Sequence, residues 1–189
     1  MAHFFRPFDI TSVIMTLARF RAAPREGHLK HVQCVFGYIR QHPKSAIRVR
    51  VGMPNYTSLT DPEYDWRTIY GNITEELPHD MLQPLGRAII TTTYEDANLF
   101  HDYLTGRLVT GILHQVGQTP IDWYCKCQAM VETATYGSEF NAARTATEQI
   151  IDLRYTLRML GVPVLNSFMF RDNQSVLLNL TVPHSQLNK

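Results

Sequence analysis

Three cysteines in 189 residues are too few, and odd in number, for a disulfide framework; two of them crowd into "CKC" at Cys125 and Cys127. No stretch approaches the roughly 18 apolar residues of a membrane span. The opening "MAHFFRPFDI" breaks its apolar residues with Arg6, Pro7 and Asp9, as a signal peptide does not. Gly-rich phosphate loops and Ser/His/Asp nucleophile arrangements are missing. These absences argue against a secreted stapled domain, a membrane-spanning chain and a P-loop enzyme. The expectation is an intracellular protein with free thiols and no membrane partner.

What is present is globular in kind. A hydrophobic fraction of 44% supplies a sizeable core at this length, enough for one domain or one domain with a partial neighbour. The net charge of +1 hides an asymmetry. Residues 1–50 carry nine Lys/Arg against Asp9 and Glu26, a balance of +7, and the remainder carries −6. A basic first quarter marks either a nucleic-acid surface or the solvated sides of two helices.

Hydrophobic spacing divides the chain. "FDITSVIMTLARFRAA" repeats Ile10, Val13, Ile14, Leu17 and Phe20 at helical intervals, with Asp9 as candidate N-cap. "REGHLKHVQCVFGYIRQH" does the same through Leu29, Val32, Val35, Phe36 and Ile39. "AIRVRV" alternates as a strand does. Four prolines between Pro54 and Pro84 mark a connection with at most one short strand, near residues 66–70. Then come "AIITTTYED", a β-branched strand, and "LVTGILHQV"-GQ-"TPIDWYC", a hairpin. A long helix follows, with Thr135 as candidate N-cap and its end at Gly161. A strand "SFMFRD" and a helix from "NQSVLLNL" complete the order β-β-β-α-β-α. The predicted class is α/β with a mixed sheet, preceded by a small helical segment.

The acids carry the chemistry. Ala143, Ala146, Ile150, Leu153, Leu157 and Leu160 form one apolar stripe, and four residues back from Ala143 it meets Glu139. Glu139 therefore belongs to the buried face, either leaning into solvent at the positive helix end or facing something cationic. Counting by twos, Asp96 shares a face with Tyr94 and Thr92, and Asp172 with Phe170 and Phe168. Both acids end apolar strands, on a face the long helix is expected to cover. Converged, the three carboxylates would need protons or a cation. Oxygen ligands of this kind suit Mg²⁺ or Mn²⁺, and two-ion sites hydrolyse phosphodiesters. The competing reading of Asp172 is a turn residue.

Other candidates are weaker. His28, His31 and Cys34 recur along one helix without a fourth zinc ligand. Cys125 and Cys127 are expected on opposite faces of a strand. His101 and His114 read as surface residues. Trp123 reads as core beneath a helix.

From "TTYEDANLFHDYLTGRLVTGILHQVGQTPIDWYC" through "EFNAARTATEQIIDLRYTLRMLG" to "MFRDNQSV", the chain resembles the ribonuclease H region of copia-type retrotransposon polyproteins. The resemblance rests on the Y-x-D-A strand end at 94–97, the TGR-x-VTG run at 105–111, "PIDWY", the E-F-x-A-A helix start and the "DNQS" turn. Upstream, "VIMTLARFRAAPREGHLKHVQCVFGYIR" is similar to the polymerase thumb and connection. The resemblance implies a thumb- or connection-like segment over 1–53, a linker over 54–87 and an incomplete ribonuclease H-like domain over 88–189.

It also implies Mg²⁺-dependent cleavage of the RNA strand of an RNA–DNA hybrid, with Asp96, Glu139 and Asp172 as catalytic acids and metal ligands for two ions. Lys126 and the arginines Arg19, Arg21, Arg25 and Arg40 are the candidate phosphate contacts. The implied partners are nucleic acid and the polymerase portion of a retroelement polyprotein. The chain departs from the family pattern at several points. It stops at "PHSQLNK", before the segment with the fourth ligand, which implies a C-terminally truncated copy with His184 as the substitute candidate. No Tyr-x-Asp-Asp occurs, so no polymerase active site is present. "CKCQ" puts Cys127 where the family has a basic residue. The alternatives are a non-catalytic remnant that binds nucleic acid by charge, and a chain that does not fold alone.

Overall fold

The computed structural model describes residues 10–43, 46–50, 52–59, 66–77, 79–98, 108–129 and 135–182. The expectations at Asp9, His101 and His184 fall outside them. The elements are α1 (Thr11–Ala18), α2 (Glu26–Gln41), α3 (Arg67–Tyr70), β1 (Ile89–Asn98), β2 (Val109–Val116), β3 (Thr119–Cys127), α4 (Thr135–Met159), β4 (Val164–Phe170) and α5 (Gln174–Thr181). This is a mixed α/β protein. Among the described residues, four strands form one sheet in the order β3-β2-β1-β4, antiparallel except for the parallel pair β1 and β4.

The hairpin forms as the sequence predicts. Gly117 takes φ +59° in the two-residue turn, a conformation that a Cβ would strain. The β-β-β-α-β-α order also stands. "AIRVRV" departs from expectation: residues 46–50 form no strand. Arg50 instead bonds to a side chain of the edge strand, its N–H donating to Thr119 Oγ1 at 2.7 Å. The neighbouring Pro120 offers no N–H to a further strand. Residues 67–70 make a helical turn rather than a strand, with Trp66 stacked on Tyr70 one turn on.

One face of the sheet carries α4. Ala142, Ala143 and Ala146 are fully buried, their small side chains allowing close approach to the strands. Leu160, the last of the predicted stripe, lies past the helix end and is 67% exposed. Thr135 already belongs to the helix, so it is not the N-cap.

Alternation on β1 assigns the faces. Thr93 Oγ1 lies 2.9 Å from His114 Nδ1, and His114 Nε2 lies 3.0 Å from Gln149 Oε1 of α4. The amide oxygen only accepts, so Nε2 donates to it and Nδ1 accepts from the threonine. His114 is therefore a buried cross-link between β2, β1 and α4, not a surface residue: an inward position on a central strand decides its burial. Thr91, Thr93, Glu95 and Ala97 point toward α4.

Thr92, Tyr94 and Asp96 point the other way. On that face Tyr56 packs on Phe168 and Phe170, and Tyr94 stacks on Phe170. Helix α1 also lies there, against β3, with Cys127 Sγ 3.9 Å from Met15 Sδ. Trp123 pairs across from Leu113, hence from Tyr94, and belongs to this face rather than beneath α4. Cys125 and Cys127 share one face, contrary to expectation, because residues two apart on a strand point the same way.

The proline-rich stretch runs along α4. Gly161, at φ +75°, ends the helical turn, and its carbonyl accepts from Leu85 N–H at 2.8 Å. Arg154 grips both Glu75 oxygens at 3.1 and 2.8 Å, and Arg158 pairs with the same carboxylate. Those hydrogen bonds, Arg154's first, hold the Glu75 carboxyl down at about 2 against the usual 4.5. The folded protein thus keeps Glu75 ionised where the unfolded chain takes up a proton. Its stabilisation is complete above pH 4.5 and is lost as pH falls toward 2. Because the carboxylate is partly exposed, its worth is about 1 kcal/mol. Urea titrations of Glu75→Gln should show that deficit at neutral pH and converge on wild type as the pH drops through the window. A gap independent of pH would reject the assignment.

Candidate metal centre

Parallel pairing positions two of the acids. β1 and β4 run in register with Tyr94 opposite Phe170. Two residues on, both chains reach an acid, Asp96 on one and Asp172 on the other. α4 must begin at this same end of the sheet, because β3 delivers the chain there and β4 has to run parallel to β1. Its second turn brings Glu139. Ligand-capable oxygens of Asp96, Glu139 and Asp172 all lie within 4.8 Å of one another. Asp96 and Asp172 are exposed, whereas Glu139 is 5% exposed.

The convergence differs in one respect from the expected route. Asp96 sits on the face away from α4, and Glu139 reaches the group from the covered side. The cluster therefore straddles the sheet's end and opens toward the α1 side. A cavity of about 330 Å³ adjoins it there, lined by Thr11, Ser12, Asp96, Gly111, Trp123 and Cys125 among others.

Asp172 is not the punctuation of its turn. Asn173 does that work: its Oδ1 accepts from Val176 N–H at 3.2 Å and caps α5. The "DNQS" turn thus splits its roles, and the Asp172 carboxylate belongs to the cluster.

The sequence reading missed the residues that hold the site together. Glu95 points inward beside Asp96, and its side chain is wholly buried. Arg171, beside Asp172, has a side chain 1% exposed and places Nη2 2.9 Å from Glu95 Oε1 and 3.4 Å from Glu139 Oε2. The same Nη2 donates to the Glu139 carbonyl at 3.1 Å, tying the end of β4 to the start of α4. The pair is imperfect: among the described residues neither Glu95 oxygen has a hydrogen-bond partner in good geometry, nor have Arg171 Nε and Nη1. Burial pushes Glu95 up to about 7; Arg171 opposes the rise, and Glu139, Asp96 and Asp172 add to it. Burial also raises Glu139, with Asp96 next in effect. A signal for this was available. Of two consecutive acids on a strand, one must point inward, and a buried acid needs a cation.

The donor set is all carboxylate oxygen, which fits a hard divalent cation. Among the described residues, the buried Arg171 guanidinium pairs with two of four neighbouring acids, Glu95, Asp96, Glu139 and Asp172, so the charge also favours a cation. The proposed phosphate contacts are less coherent. Lys126 pairs across from Thr110 and lies on the α4 face, opposite to Asp96. Arg19, Arg21, Arg25 and Arg40 belong to the α1–α2 unit. Arg25 is the N-cap of α2, where its N–H donates to His28 Nδ1 at 3.1 Å. His28 is thus a capping residue and His31 Nδ1 lies 2.8 Å from the Gly27 carbonyl; among the described residues these two do not converge with Cys34 as a metal-ligand group. Among the described residues, no helix is long and apolar enough to cross a membrane. No protein-family profile, curated protein or solved structure matches the chain.

Proposed function

We propose that this chain is a ribonuclease H-like module of copia-type retroelement origin, which hydrolyses the RNA strand of an RNA–DNA hybrid in an intracellular setting. One observation carries the reading: three carboxylates from β1, α4 and the β4 end converge within 4.8 Å at an open end of the sheet. The sheet order β3-β2-β1-β4, with a helical crossover into the parallel strand, is compatible with it.

Asp96, Glu139 and Asp172 would hold Mg²⁺ or Mn²⁺. Such ions, when bound, supply charge stabilisation for the phosphodiester oxygens during hydrolysis. The chain's own residues do the positioning. Asp96 and Asp172 offer exposed oxygens at the ends of two paired strands, so their spacing is set by the ladder. Glu139 is fixed from behind by Arg171. The face opposite α4 carries aromatic side chains beside Asp96, and the cavity there leaves the acids open to a strand lying along it.

A second reading, a nucleic-acid binder without turnover, draws on Arg171, a cation already lodged beside Glu139. One experiment separates the two. Folded protein is incubated with an RNA–DNA hybrid labelled on either strand, with Mg²⁺ or with EDTA. The hydrolase cuts only the RNA strand, and only with the ion. Intact hybrid in both tubes, with affinity that falls as salt rises, would leave the binder in its place.

A further inference from the structure

The face opposite α4 holds a second recess that the acids do not use, with a volume of about 440 Å³. Arg48, Arg50, Tyr56, Tyr94, Gln115 and Gln118 are among the residues lining it, and among the described residues no acid does. Its upstream wall is tied down. Arg50 N–H donates to Thr119 Oγ1 at 2.7 Å, and that hydroxyl is 3.2 Å from the Arg50 carbonyl. Tyr56 Oη lies 2.9 Å from Thr92 Oγ1, while its ring packs on Phe168. A Cβ on Gly117 would come within 3.1 Å of the Gly52 carbonyl, so the wall meets the β2–β3 turn at close range.

We propose that this recess binds one nucleotide unit without a metal ion. Two arginines suit a phosphate, which a guanidinium meets with paired donors. Tyr94, backed by Phe170 and 43% exposed, offers a ring to a planar base. The two glutamine amides both donate and accept, as base edges require. The volume lies in the range of small-ligand sites. The unit is either a free nucleotide or one residue of a strand. Tyr94 also lines the cavity beside Asp96, so a strand seated here would run toward the acids. The inference goes beyond the hydrolase reading and does not need it, since binding survives in a protein that cuts nothing.

Calorimetry on the full chain in EDTA tests it, with 5′-AMP, adenosine, inorganic phosphate and a short oligoadenylate as probes. AMP should saturate, about tenfold or more tighter than adenosine or phosphate alone. Arg48→Gln with Arg50→Gln should weaken AMP by about tenfold or more, and so should Tyr94→Leu, each shown folded by circular dichroism. An oligonucleotide tighter than AMP assigns the strand, and equal affinities assign the free nucleotide. Absent saturation, phosphate binding as well as AMP, or folded variants that bind like wild type would each overturn the proposal. Should the arginine variant not fold, Tyr94→Leu decides.

Discussion

Arg171→Met should destabilise the protein by about 3–5 kcal/mol. The reason is what the change leaves behind. Glu95 and Glu139 stay buried, with Asp96 and Asp172 beside them, and the guanidinium paired with both is gone. Arg171 also ties β4 to α4 through the Glu139 carbonyl, so the variant loses a strut as well as a charge. Against a total stability of about 5–15 kcal/mol, the loss is a substantial fraction.

The loss should depend on pH with a definite sign. Glu95 already rises to about 7, so it enters the neutral form easily when its cation is removed. A raised carboxylate binds its proton more tightly in the fold than in the unfolded chain. Stability therefore falls as pH climbs from the ordinary 4.5 through 7. Arg171→Met should lie closest to wild type near pH 5 and furthest from it above pH 8. Glu95→Leu combined with Arg171→Met should recover much of the loss, because a buried pair replaced by apolar side chains is often neutral in stability. Urea titrations at the two pH values measure all three proteins. A single variant within about 1 kcal/mol of wild type above pH 8 would remove Arg171 from its assigned role.

The elements that were legible in the sequence are those whose signal is local. Apolar period and turn residues give β1 to β4, α4 and α5, and "GQ" between two β-branched runs gives the hairpin. Asp96, Glu139 and Asp172 were legible because strand ends and the helix stripe fix them to one end of the sheet, although Asp96 lies on the face opposite to the one expected. The misjudged parts depended on what lies opposite. His114 looked isolated because its partners, Thr93 and Gln149, are far away in sequence. "AIRVRV" has strand alternation but meets an edge with Pro120, where side-chain bonds replace a ladder. Arg171 and Glu95 are each unremarkable locally. Their meaning appears only when the parallel register sets positions 95 and 171 side by side at one end of the sheet.

Under the proposed hydrolase function, Asp172→Asn and Asp96→Asn should each lower Mg²⁺-dependent cleavage by about a hundredfold or more, while the folded protein is unharmed or slightly more stable. The two effects have one origin. Three carboxylates within 4.8 Å repel one another, so neutralising one relieves the fold and removes attraction for a divalent ion at the same time. A residue kept only for structure behaves in the opposite way, since its removal costs stability. Both aspartates are exposed and Asn173, not Asp172, caps α5, so neither substitution breaks a cap or opens a cavity. Glu139→Gln is a harsher test, because the amide must still meet Arg171 in a buried setting. The ion supplies a second readout that does not depend on turnover. With Mg²⁺ at about ten times its dissociation constant, wild type should gain roughly 1.4 kcal/mol, and the asparagine variants much less. Thermal melts with and without Mg²⁺, run beside the cleavage assay, give both numbers. Variants that cut within about tenfold of wild type, or that gain as much from Mg²⁺, would show that these acids share a place without sharing a metal.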